Sequence, residues 1–103
     1  HKLDALVVLT NGPAHVTDLV NGDSFSGSSS SPAAVAGYPT ITLPAGWVHG
    51  LPVGVSLIGG AWKEPELIKL AFGLERALGA RRSPLLLPTL KLGVRPQLLK
   101  QNQ

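Results

Sequence analysis

The pattern of apolar and polar positions begins with a short apolar run at residues 3–10, LDALVVLT. It contains β-branched residues and is closed by Asn11-Gly12-Pro13, and such a run followed by turn residues predicts a buried strand. Because its apolar residues are nearly continuous rather than alternating, we expect a central strand that is covered on both faces.

An irregular segment follows at residues 11–30, rich in Asn, Gly, Asp and Ser. Loops of this length are uncommon inside compact domains and are often functional. At its end, Ser30 or Ser31 is suited to be the N-cap of a short helix, with Pro32 at the first helical position and an alanine-rich run behind it. Gly37 is expected to end that helix.

A β-hairpin is predicted next. Residues 40–43 alternate in polarity, residues 53–58 form a second β-like run, and residues 45–51 are expected to be the loop between them. Gly54 and Ser56 fall on the same face of the second strand. Two small residues there indicate that another group approaches the strand closely.

The strongest pattern is a helix at Glu64–Leu78, with Pro65 in its first turn and Gly79 at its end. Its apolar residues recur at helical spacing: Leu67, Leu70, Ala71, Leu74 and Leu78, with Ile68 widening the stripe. These elements predict an α/β fold. After Ser83 the chain holds several prolines and no periodicity, so we expect an extended tail.

Composition sharpens this picture. The chain has 103 residues, of which 44% are hydrophobic and 15% charged, and it contains neither cysteine nor methionine. One domain of this size normally carries more surface charge. We therefore expect a segment of a larger protein, whose apolar faces pack against polypeptide outside this sequence. No apolar run approaches the length needed to span a bilayer, and we expect a cytoplasmic protein.

Charge is distributed unevenly. Up to Glu75 the chain has three basic and six acidic residues, whereas six basic residues and no acidic residue follow. The basic residues are Arg76, Arg81, Arg82, Lys91, Arg95 and Lys100. Such a cluster is found in modules that bind nucleic acid or another anionic partner. The tail lacks aromatic residues that stack on bases, so a solvated basic end without nucleic-acid binding is the favoured interpretation.

The serine run at residues 28–31 is a candidate nucleophile. It lacks the Gly-x-Ser-x-Gly pattern of a hydrolase elbow. Ser29 with His15 or His49 and Asp18 would make a nominal triad, but a capping role for the serines is the stronger interpretation.

Binding motifs are weaker still. The histidines at positions 1, 15 and 49 are isolated, so no metal site is predicted, and His49 is expected on the surface. Gly59-Gly60 is only weakly similar to a phosphate-binding loop, and a tight turn between strand and helix explains it.

Three motifs in order resemble the C-terminal region of the amidase-signature family. They are SSSPAAVAGYPTITLPAG, GLPVGVSLIGG and EPELIKLAFGLERALGARRSP, with DALVVLTNGPA upstream. The resemblance covers residues 3 to about 90. It implies a C-terminal fragment of the family's mixed β-sheet with flanking helices at residues 1–90, followed by an extended basic tail at 91–103.

The resemblance also implies a function. Enzymes of this family hydrolyse carboxamides through a Ser-Ser-Lys centre in their N-terminal part, without metal or organic cofactor. Residues 28–31 imitate the serine-rich run of that centre but continue into YPTITLPAG, and only Lys2 precedes them. No catalytic residue is therefore expected here. The chain is expected to be inactive alone and to need the missing N-terminal amidase portion as its partner.

The same resemblance places the long loop beside the pocket for a small-molecule amide, with Asn21, Asp23 and Ser26 as candidate substrate-binding residues. Two alternatives stay open: an interaction module whose basic tail binds an anionic partner, and a small serine hydrolase that uses Ser28 to Ser31. In isolation, the uncovered apolar faces and unpaired strand edges predict self-association or loose folding.

Overall fold

The computed structural model describes residues 2–23 and 27–85. In chain order its elements are β1 (Leu6–Leu9), α1 (Ser30–Ala36), β2 (Thr40–Val48), β3 (Leu51–Ile58) and α2 (Glu64–Leu78). The strands form one antiparallel sheet in the order β1-β3-β2. Strands and helices together confirm the predicted α/β class.

β1 is an edge strand of this sheet, so the prediction of a central strand covered on both faces is wrong for the described residues. It pairs with β3 alone. Leu6, Val7 and Leu9 are 51%, 63% and 72% exposed. The reason is that α2 packs over β2 and β3 and leaves β1 uncovered. The apolar run therefore has a need for cover that the described residues do not meet.

The hairpin is confirmed, but its strands are longer than predicted. Most of the expected loop at 45–51 belongs to the strands, and His49-Gly50 alone makes the turn. Both turn residues have positive φ, 50° and 79°, as in a type I′ turn, whose twist matches that of the strands. Pro44 is tolerated inside β2 because β2 is the other edge strand and a bulge follows at Pro44/Gly46.

α1 begins one residue earlier than expected. Ser29, not Ser30 or Ser31, is the N-cap, and its side chain makes no capping hydrogen bond. Instead the N–H of Ser30 donates to Ser28 Oγ at 3.2 Å, which satisfies one donor of the first turn. Gly37 ends the helix as predicted, with a left-handed φ of 70°.

α2 has the predicted bounds and supplies half of the small core. Leu67 and Ala71 of α2 pack against Leu43 of β2 and Leu57 of β3. Ile68, predicted to widen the apolar stripe, is 59% exposed because the sheet lies only under the Leu67 side of the helix.

The segment after α2 folds back onto the hairpin. The indole Nε1–H of Trp47 donates to the carbonyl of Ala80 at 3.1 Å. The guanidinium of Arg82 lies 5.5 Å from the centre of a Trp47 ring, and that of Arg76 lies 5.5 Å from the ring of Phe72. Two of the basic residues therefore stack on aromatic rings of this chain, at contacts of about 0.5–1 kcal/mol each. The predicted tail at 91–103 lies outside the described residues.

Apolar surface remains exposed across the described part of the chain. Its large exposed side chains include Leu6, Val7, Leu9, Ile68 and Phe72, and none of its large side chains is more than 98% buried. Within residues 2–23 and 27–85, no helix combines the length and the apolar character that crossing a bilayer requires. Self-association of the isolated chain stays a prediction.

Candidate functional site

The long loop leaves and re-enters the fold at one point beside the end of β1. Asn11 and Ser28 form an isolated antiparallel bridge, and the N–H of Ser29 donates to the carbonyl of Thr10 at 3.2 Å. Thr10 is itself fixed, because its N–H donates to the carbonyl of Gly54 in β3 at 3.0 Å. The two ends of the loop are therefore held against the sheet.

Asp18 organises a tight turn in this loop. Its carboxylate accepts hydrogen bonds from the backbone N–H groups of Val20 and Asn21, at 2.8 and 3.1 Å, and from Asn21 Nδ2 at 2.7 Å. The side-chain bond from Asn21 is the largest cause, ahead of the two backbone bonds, that lowers the pKa of Asp18 below its usual value. The turn closes where the N–H of Gly22, with a φ of 88°, donates to the Asp18 carbonyl.

Asp23, the second candidate residue, pairs with His15 across the loop. His15 Nε2 lies 2.6 Å from Asp23 Oδ1, and both side chains are exposed. The third candidate, Ser26, lies outside the described residues. Asn21 and Asp23 thus stand on one exposed loop, each held by a charged or ionisable neighbour.

The nominal triad is not assembled. His15 contacts Asp23 rather than Asp18, and Ser29 Oγ donates to the Thr10 carbonyl at 3.4 Å. Ser28 Oγ and Ser30 Oγ lie 2.8 Å apart and bond to each other. No hydrogen bond among the described residues joins one of these serines to a histidine or lysine, whereas activation of a nucleophilic serine needs an adjacent base.

A buried hydroxyl cluster lies on the sheet face opposite α2. Ser56 is 2% exposed, and its Oγ lies 2.7 Å from Thr10 Oγ1 and 2.9 Å from Thr42 Oγ1. The three hydroxyls join the end of β1 to β3 and β2. The small residues Gly54 and Ser56 had indicated a close neighbour, but no sequence signal pointed to the two threonines.

A cavity of about 540 Å³ opens between the loop ends and the hairpin. It is lined by Leu9, Thr10, Asn11, Gly12, Pro13, Gly27, Ser28, Ser29, Val48 and Val53. Apolar side chains with a few hydroxyl and amide groups suit a neutral, partly apolar ligand. Neither Asn21 nor Asp23 lines it.

Metal ligands are not gathered anywhere in the described ranges, where no three His, Asp or Glu side chains come together. His15 is on the long loop and His49 is in the exposed hairpin turn, as predicted for His49. His1 lies outside the described residues.

Known proteins similar to this chain are amidases and amidotransferases. A probable amidase of Arabidopsis thaliana is 39% identical over 85 residues, which cover 82% of this chain and 14% of that protein. A glutamyl-tRNA(Gln) amidotransferase polypeptide of Rubrobacter xylanophilus is 48% identical over 50 residues, covering 48% of the chain and 10% of that polypeptide. No family model matches the chain.

A solved structure agrees with these relatives. The crystal structure of a peptide amidase in complex with the competitive inhibitor chymostatin matches with a TM-score of 0.74 and 51% identity, covering 81% of this chain and 17% of the peptide amidase. The fold is therefore that of a segment of an amide-hydrolysing enzyme. The chain belongs to the amidase-signature family and corresponds to a part of its members.

Proposed function

We propose that this chain is the C-terminal portion of an amidase whose Ser-Ser-Lys centre lies on polypeptide outside this sequence. The observation that carries the proposal is the match to the peptide amidase, at 51% identity over 81% of the chain but only 17% of the enzyme. The uncovered strand β1 supports it, because an apolar edge strand is usually paired or covered in a functioning protein. We retain the cytoplasm as the predicted location.

The reaction proposed for the whole enzyme is hydrolysis of a carboxamide. The nucleophilic serine attacks the amide carbon, ammonia or an amine leaves, and water hydrolyses the resulting acyl-enzyme. Backbone N–H groups would stabilise the oxyanion. The bonding of Ser28, Ser29 and Ser30 to one another and to Thr10 supports a structural role for this run.

The contribution proposed for this chain is one wall of the substrate pocket. The loop at 11–30 is anchored at both ends and ordered inside by the Asp18 turn and the His15–Asp23 pair. Its exposed polar groups include Asn21 and Asp23, and Ser26 belongs to the same proposal. An ordered loop on a rigid sheet is a common position for substrate-contacting residues.

Grafting tests this function. Residues 2–85 replace the matched segment of the peptide amidase to give a chimera, and hydrolysis of a peptide amide is measured for the chimera and for this chain alone. We expect hydrolysis by the chimera and none by the chain, because the chain supplies structure and pocket wall while the acylating serine is elsewhere. Replacing Ser28 to Ser31 by alanine in the chimera should reduce kcat/KM by less than about tenfold, about 1.4 kcal/mol.

Three outcomes would contradict the proposal. They are hydrolysis by the chain alone, a well-folded chimera without activity, and a loss of about a thousandfold or more from the serine replacements, which is the scale expected for a missing nucleophile. A chimera that carries the unrelated substitution Ile68→Ala is the matched control for handling and folding.

A further inference from the structure

The outer edge of β1 presents a defined set of backbone groups. The N–H of Thr10 donates to the carbonyl of Gly54, so Thr10 and Gly54 form a hydrogen-bonded pair of the antiparallel ladder. Such pairs alternate along an antiparallel ladder. The register pairs Val8 with Ser56, so Val8 also bonds to β3. The N–H and C=O groups of Val7 and Leu9 consequently point away from β3, toward the open edge.

The side chains at this edge are apolar on both faces. Val7 and Leu9 lie on the face that α2 covers over β2 and β3, and Leu6 lies on the opposite face. Beside Val7, a groove of about 420 Å³ runs between β1 and α2. Its lining includes Leu3, Ala5, Val7, Leu57, Leu70 and Leu74. Exposed backbone groups and exposed apolar side chains therefore occur at the same place.

β1 carries none of the features by which proteins protect a true edge strand. Its four residues are Leu-Val-Val-Leu, without lysine, proline or bulge. β2, at the other edge, contains Pro44 and a bulge. The two edges thus differ: β2 has the features of a sheet boundary, and β1 has those of a strand inside a wider sheet.

We propose that a β-strand from the remaining part of the amidase pairs with the outer edge of β1, bonding to Val7 and Leu9, and that its apolar side chains fill the groove against Leu70. This inference rests on the proposed function. Its occupant is argued from size: the peptide amidase match leaves 83% of that enzyme outside the matched region (100% minus 17%). That polypeptide is the nearest source of a strand, whereas a second copy of this chain would fill the edge only when the rest is missing.

Hydrogen exchange at single-amide resolution tests the pairing in the chimera. Val8, bonded to β3, is the internal reference. In the active chimera we expect the amides of Val7 and Leu9 to exchange within about tenfold of the rate of Val8, because all three are then bonded. In the chain alone, at concentrations where sedimentation shows a monomer, Val7 and Leu9 should exchange about 100-fold faster than they do in the chimera.

A pair of variants gives an independent readout. Val7→Pro removes the outward N–H without removing a bond to β3, and Val7→Ala keeps that N–H while shortening the side chain. The inference predicts that Val7→Pro lowers the unfolding temperature of the chimera by several degrees more than Val7→Ala, and that the two variants of the monomeric chain melt alike.

The outcomes separate this inference from the proposed function. An active chimera in which Val7 and Leu9 exchange 100-fold faster than Val8 would overturn the strand pairing and leave the function standing. Protection that appears only when the chain dimerises would overturn it in favour of a second copy. An inactive, well-folded chimera would overturn the proposed function and, with it, this inference.

Discussion

Substituting Leu67 by alanine should destabilise the fold by about 2–5 kcal/mol, the range for a buried leucine truncated in a core. Leu67 is 3% exposed and packs in a cluster with Leu43, Leu57 and Ala71. Because no larger core exists among the described residues, a loss of this size should shift most of the isolated chain to the unfolded state. Urea unfolding followed by circular dichroism measures the effect.

The adjacent residue of α2 is the matched control. Ile68 is 59% exposed and lies outside the core cluster, so Ile68→Ala should change the free energy of unfolding by less than about 0.5 kcal/mol. If both variants lowered stability equally, α2 would not pack on the sheet through its Leu67 side, and the described core would be wrong.

Substituting Gly54 by alanine should cost about 1–3 kcal/mol, because a methyl group would be forced into a filled space. A Cβ at Gly54 would lie 3.1 Å from Thr10 Oγ1, 3.2 Å from Thr42 Cγ2 and 3.4 Å from the Leu43 carbonyl. The same contacts hold the hydroxyl cluster around Ser56. The urea midpoint should fall, with an unchanged slope.

A second glycine provides the comparison. Gly73 lies within α2 and has no other atom within 4 Å of an added Cβ. Gly73→Ala should therefore raise stability by about 0.5–1 kcal/mol, through the better helix propensity of alanine. A Gly54→Ala protein as stable as the parent would show that the strands do not approach each other as closely as described.

Elements whose signals lie within a few residues were predicted well. α2 has the predicted bounds because helical periodicity, the acidic first turn and Gly79 all act locally. The antiparallel hairpin and the glycine that ends α1 follow from equally local signals. The hairpin strands were predicted too short because proline and glycine at 44–46 resemble a loop, and only the edge position of β2 makes them acceptable in a strand.

Features that depend on distant partners were missed. The apolar sequence of β1 predicted cover on both faces, and the described residues give it one neighbour, because the number of neighbours is set by other elements. The N-cap of α1 shifted to Ser29 because Ser28 bonds the N–H of Ser30. Neither contact is visible in the composition of the segment itself.

The candidate site was predicted as a region rather than as a set of contacts. The polar composition of residues 11–30 identified the loop, but not the pairing of His15 with Asp23 in place of Asp18. Exposed histidines and carboxylates carry no pattern that selects their partner. The family was identified because several motifs occur in a fixed order, and the amidase matches confirm it.

The location of a serine-reactive label tests the central claim most directly. The chimera and the chain alone are treated with a fluorophosphonate, digested and analysed by mass spectrometry. We predict that the chimera carries the label on a serine outside the grafted residues 2–85, and that the chain alone carries none. Stoichiometric label on any serine from 28 to 31, in either protein, would contradict the claim that this chain contributes no nucleophile.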